Sequence, residues 1–144
     1  MATDALRRCL SDVTASALML YLLAGCAGLP VFANIPGLPM GAARLIGPTG
    51  GYLLAFPMAA AVTGLLVGRH VGKFLPTLGA AVIGMIVIHL GGVGMLMIQT
   101  GSTGTAFAHG ALPFLVNDVL KVLAVATLGA LGGQRVLSWL GRQP

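Results

Sequence analysis

This chain of 144 residues contains no glutamate and only three aspartates, Asp4, Asp12 and Asp118. Charged residues of both signs make up 8% of it, against roughly 25% in soluble domains. So sparse a set cannot cover a globular surface, and a water-soluble fold is excluded. The basic residues are scattered: Arg7, Arg8, Arg44, Arg69, Lys73, Lys121, Arg135 and Arg142. They form no stripe and no cluster interleaved with aromatics, so nucleic-acid binding has no footprint. Cysteine is limited to Cys9 and Cys26, which lack metal-ligand spacing and lie about a helix length apart, too far for a disulfide. His70, His89 and His109 fall in three different regions, again without ligand spacing. No nucleophile–base pair arises from adjacent positions. The expectation is a protein that is no enzyme and carries no metal or cofactor.

What is abundant is apolar. The chain is 57% hydrophobic, with a mean hydropathy of +0.97. Four apolar segments stand out, at about 13–33, 52–67, 75–98 and 112–137. Each approaches the ~20 residues that a helix needs to cross the hydrocarbon core, the second being short. The predicted fold is all-α: a polytopic membrane helical bundle of four transmembrane helices, forming a single transmembrane domain over 1–144. Small residues recur inside the segments, as in Gly64-Leu-Leu-Val-Gly68, and allow helix backbones to approach closely.

Charge in the loops sets the expected orientation. The stretch Gln99 to Gly110 has no Lys or Arg, whereas Gly68 to Phe74 carries Arg69 and Lys73. With both termini in the cytoplasm, Arg7, Arg8, Arg69, Lys73, Arg135 and Arg142 all lie inside and Arg44 alone lies in an outer loop. That asymmetry satisfies the positive-inside rule and implies the cell membrane. Arg7-Arg8 and Leu23-Ala-Gly-Cys26 imitate a lipoprotein signal, but cleavage there would leave three spans and break the asymmetry. The segment therefore reads as the first span, and His89 as a buried hydrogen-bonding residue within the third.

The outer loop 34–51 holds five glycines and three prolines, which forbid a regular helix. Ile35, Leu38, Met40, Leu45 and Ile46 are nonetheless too apolar for a freely solvated loop, so it is expected to fold back over the outer end of the bundle. Its last part, Gly47-Pro-Thr-Gly-Gly-Tyr52, is not a phosphate-binding loop, since that motif needs Gly-Lys followed by Ser or Thr. Gly50 and Gly51 read as flexible points that bring backbone N–H groups to a bound molecule, with the Thr49 hydroxyl beside them. A structural turn capping the second helix fits the same residues equally well.

Asp118 and Lys121 are charges inside an apolar segment. On insertion scales each costs about 2.5–3.5 kcal/mol at the centre of a helix, which argues that they are used. Spaced by three, they share a helix face, with Asn117 alongside. They suit a small ligand that offers both hydrogen-bond donors and carbonyl or carboxylate oxygens. Two other readings of the pair stay open: a small structural membrane protein in which it joins helices, and a proton-coupled metabolite carrier in which Asp118 titrates.

Three stretches carry a resemblance: Gly28-Leu-Pro-Val-Phe-Ala33, Leu45-Ile-Gly-Pro-Thr-Gly-Gly-Tyr-Leu-Leu-Ala-Phe-Pro57 and Leu112-Pro-Phe-Leu-Val-Asn-Asp-Val-Leu-Lys121. In this order, from about Met19 to Leu131, the chain resembles the BioY family, the biotin-specific S components of energy-coupling factor (ECF) transporters. The resemblance implies a subunit that captures biotin near the outer face and topples in the membrane, with a transmembrane coupling subunit and ATPase subunits as partners. It further implies that Asp118, Lys121, Asn34 and the Gly50-Gly51 backbone hold the polar atoms of biotin, while Tyr52, Phe32 and Phe114 line its apolar part. Members of that family have six membrane helices. The four found here correspond to the last four, so the chain is expected to lack the first two and the motif that engages the coupling subunit.

Overall fold

Glycine and proline decide where the apolar runs of this chain start and stop being helical. The computed structural model describes residues 2–34, 36–37, 39–68 and 70–140, with side chains from Asp12 onward except those of Leu137, Trp139 and Leu140. Among the described residues there are six helices and no strand: α1 (Ala2–Cys26), α2 (Ala43–Ile46), α3 (Gly50–Val67), α4 (Phe74–Thr100), α5 (Thr103–Gly110) and α6 (Leu115–Leu140). The ends follow local chemistry. α4 takes Pro76 into its first turn, where a missing N–H removes no intrahelical bond. It stops where Gly101 turns left-handed at φ 66°, its N–H returning to the Met97 carbonyl.

α3, α4 and Leu115–Val136 of α6 are long and apolar enough to cross a membrane, and α1 contributes the shorter apolar stretch Asp12–Cys26. The exterior matches that solvent. Leu65, Leu75, Ile98 and Val116 are each at least 70% exposed, while the buried positions are small, Ala59 and Ala126 among them. Large apolar side chains outside and small ones inside describe a bundle solvated by lipid. The chain is a multi-pass membrane protein, an all-α bundle.

Each long helix packs chiefly on the next, in the order α1, α3, α4, α6, with α2 on α3 and α5 on α4. Between α3 and α4 the backbones nearly touch. A Cβ on Gly51 would collide with the Gly91 carbonyl, and one on Gly91 would lie 2.7 Å from the Ala55 Cβ. Farther along, Gly84 faces Thr63, whose hydroxyl donates to the Ala80 carbonyl at 3.4 Å. The positions 51, 55, 59 and 63 recur every four residues, one helix face, so this face rather than Gly64–Gly68 makes the close crossing. Gly68 instead caps α3, donating to the Gly64 carbonyl.

Two expected boundaries need correction. The first span does not reach Ala33: α1 ends at Cys26, because Gly28 is left-handed at φ 90° and Pro30 cannot continue a helix. Beyond that turn Phe32 folds back, its ring against Gly25 and edge-on to Tyr21 with centroids 5.3 Å apart. The last helix starts at Leu115 rather than Leu112, after a turn over 111–114. The loop 34–51 is also less irregular than expected, since it contains α2 and its final glycines open α3. The described part of the segment is tied down, Ile35 and Leu38 lying outside the described residues: buried Arg44 donates to the Ala33 carbonyl at 3.0 Å, and Gln99 on α4 donates to the Ile46 carbonyl at 2.7 Å.

Candidate functional site

The start of α3, the end of α4, all of α5 and the start of α6 gather at one end of the bundle. Asp118 sits in the first turn of α6, one turn from where the expected boundary placed it relative to the helix start. There the unpaired N–H groups and the helix dipole favour a carboxylate, which lowers the cost that a mid-helix charge would incur. The carboxylate is buried and reached from two sides. Lys121 approaches Oδ1 at 3.4 Å along the same helix, and His89 Nε2 on α4 approaches Oδ2 at 3.3 Å. The second contact has ion-pair range but lies off the line of an aligned hydrogen bond, so Nε2 is buried without one. The other ring nitrogen, Nδ1, lies 3.1 Å from the Met85 carbonyl one turn back.

Tyr52, in the first turn of α3, completes the cluster. Its ring stands edge-on to His89, with centroids 6.3 Å apart at 84°. Gly92 makes room for it, since a Cβ there would fall inside the tyrosine ring. The hydroxyl donates to the Gly110 carbonyl at 2.7 Å, joining α3 to the end of α5. α5 is itself capped by Ser102, whose Oγ accepts from the Thr105 N–H at 3.3 Å. Thus three helices, α3, α4 and α6, place Tyr52, His89, Asp118 and Lys121 together.

The remaining residues expected at a site divide. Thr49, the N-cap of α3, has a buried Oγ1 with no hydrogen-bond partner among the described residues. Such a group in a membrane protein is costly unless something fills the gap. Gly50 and Gly51 are not a flexible strap. They form the first turn of α3, the Gly50 N–H is bonded to the Gly47 carbonyl, and Gly51 is the point of closest approach to α4. Asn34 and Asn117 are exposed at the same end, outside the cluster. Phe114 is exposed beside it and accepts the Asp118 N–H through its carbonyl. Phe32 is spent on α1. His89 is the residue whose role at the site was not foreseen, because only the α4–α6 packing brings it to Asp118, 29 positions away.

Chemically, the cluster combines a carboxylate, an imidazole, an ammonium with donors to spare (its side chain is 72% exposed) and an aromatic face. It holds groups for recognising a molecule that has both donors and acceptors, and nothing in it is arranged as a nucleophile beside a base. An all-helical membrane bundle with a polar cluster of charged and aromatic side chains among the described residues defines the class.

Within that class the chain belongs to the BioY family, whose profile matches residues 10–138. It is 39% identical over 104 residues to the probable biotin transporter BioY of Pyrococcus horikoshii, covering 72% of this chain and 58% of that protein. It is 42% identical over 108 residues to the biotin transporter BioY of Thermotoga maritima, covering 75% and 62%. To the probable biotin transporter BioY of Methanothermobacter thermautotrophicus it is 37% identical over 120 residues, covering 76% and 74%. The chain thus spans about three fifths of the length of the first two relatives. No solved structure gives a significant match.

Proposed function

We propose that this chain is the biotin-binding membrane subunit of an ECF-type biotin uptake transporter. The observation that carries the reading is the buried Asp118 carboxylate, held between Lys121 and His89 at one end of a membrane bundle. Biotin has a ureido ring with two N–H donors and a carbonyl, an apolar fused ring and a carboxylate tail. Asp118 accepts from the ureido N–H groups. Lys121, with donors beyond the one it turns to Asp118, serves the ureido carbonyl or the tail carboxylate. Tyr52 offers its ring to the apolar part, and Thr49 Oγ1 gains the partner it lacks. The first turn of α3 at Gly50-Gly51 forms the floor, while Asn34, Asn117 and Phe114 lie on the rim. A buried site of this kind rejects ligands that lack one partner, because a polar group is then left unpaired.

The cluster end faces outward in the cell membrane in this reading, and both termini are cytoplasmic. Arg44 is the sole Lys or Arg in the segments joining the helices at that end, whereas Lys73 and Arg135 belong to the other, and Arg69 lies outside the described residues. The partners are an ECF coupling subunit and ATPase subunits, which supply the nucleotide hydrolysis that this chain has no motif for. Isothermal titration of the purified chain with biotin in detergent is the test. Saturable binding that Asp118→Asn and Lys121→Ala each weaken by more than about tenfold, with helix content kept, is the expected result. Equal affinity in both variants would remove the site assignment.

A further inference from the structure

We infer that Lys73 and Arg135 together bind the headgroup phosphate of an anionic phospholipid, at the joint where the α3–α4 connection is fastened to the end of α6. The joint is made by backbone contact. Gly72 is left-handed at φ 83°, and its nitrogen and Cα occupy the place where a Cβ on Gly133 would fall. Gln134 Nε2 then donates to the Gly72 carbonyl at 3.2 Å, so residues 62 positions apart in sequence lie side by side. Lys73 is the next residue on one side of this joint, and Arg135 the next on the other. Consecutive Cα atoms are about 3.8 Å apart, so both cations start within a side chain's reach of the same place. Both are exposed.

The joint also lies at the edge of the hydrocarbon. Lys73 immediately precedes the span Phe74–Thr100, and Arg135 is next to last in the span Leu115–Val136. Leu75 and Val136 beside them are exposed apolar side chains. Among the described residues no carboxylate pairs with either cation; Asp118 is engaged at the opposite end of the bundle. Two neighbouring cations without a counter-charge repel, and an anion between them removes that cost. Lys73 is moreover the N-cap of α4, the positive end of the helix dipole, which disfavours a bare cation and stabilises an anion. The anion that the bilayer supplies at this depth is a lipid phosphodiester. The guanidinium offers it a fork of donors and the ammonium a point charge, while the acyl chains lie along Leu75 and Val136. This assignment requires only that the helices span a membrane, and it is independent of what the Asp118 end binds.

The test uses the full chain in detergent, with bound lipid counted by native mass spectrometry during titration. Phosphatidylglycerol is expected to bind at least about tenfold more tightly than phosphatidylcholine. Lys73→Gln and Arg135→Gln are each expected to weaken it by about fivefold. Lys73→Arg, which keeps the charge, is expected to stay within about twofold of the parent chain. Gly133→Leu leaves every charge in place but forces α6 off the Gly72 backbone, and is expected to lose about fivefold. Should that variant fail to fold, Gln134→Ala, which removes only the bond to Gly72, takes its place and is expected to lose about twofold. Equal affinities for the two lipids would overturn the site, as would charge-neutral variants that bind phosphatidylglycerol like the parent chain. A folded joint variant with full affinity would show general surface charge in place of a site and would equally overturn it. Inorganic phosphate at the lipid's concentration is expected to displace nothing; displacement would make the ligand a free anion and remove the lipid assignment.

Discussion

The interfaces of α4 with α3 and with α6 are built on opposite principles. Toward α3 it presents Ala80, Gly84 and Gly91, and the helices meet backbone to backbone with one weak hydroxyl bond between them. Toward α6 it meets a stripe of Asp118, Val122, Ala126 and Ala130, buried every fourth residue, whose first member is a charge. Over Ala80, Gly84 and Gly91 the first interface is closed chiefly by the contact of small residues. The second is apolar along most of its length and polar at one end. Dispersion holds the bundle where nothing else is asked of it, and the expensive groups are confined to the end where helix termini supply compensating dipoles.

Enlarging a residue at the shape-closed interface should have the largest effect on the fold. Gly51→Leu drives a side chain into the Gly91 backbone and is expected to cost about 3 kcal/mol or more, seen as a large fall in the midpoint of thermal unfolding in detergent. Little change there would mean that the α3–α4 contact is looser than described. Altering the charged end should instead spare the fold and remove binding. Asp118→Asn and Lys121→Ala lose more than about tenfold in biotin affinity by calorimetry, at unchanged circular dichroism. A smaller effect is expected from Tyr52→Phe, which strands the buried Gly110 carbonyl; about 1 kcal/mol of stability is at stake, read from the same thermal midpoint. Smallest is Asn117→Ala on the exposed rim, expected to change biotin affinity by no more than about twofold. A larger loss would extend the site along α6.

The same contrast explains what could be read before any coordinates. Membrane class, the helical segments and the Asp118–Lys121 pair follow from composition, run length and a three-residue spacing, all local properties. α5 was hidden because Thr103-Gly-Thr-Ala-Phe-Ala-His-Gly110 is rich in glycine and threonine and reads as a polar loop, although Ser102 is a good N-cap. Gly50-Gly51 left two readings open, a flexible point and a structural turn at the helix start, for a related reason. Low helix propensity suggests a flexible strap, but at a tight crossing the absence of a side chain matters more than propensity. Phe32 was expected near the ligand from the family resemblance. A left-handed glycine at position 28 returns it to α1 instead. His89 illustrates the limit most clearly: its burial was expected, but its partner is set by the packing of two helices and leaves no trace in nearby sequence.

The phenol of Tyr52 has one more implication. It is the hydrogen bond that ties the root of α3 to the last residue of α5, and α5 runs through a four-residue turn directly into the helix bearing Asp118. α5 is thus held by the chain at both ends, by its packing on α4 and by this one hydroxyl from α3. Replacing that donor tests how much the α3 tie contributes to the position of α5 without touching either charge.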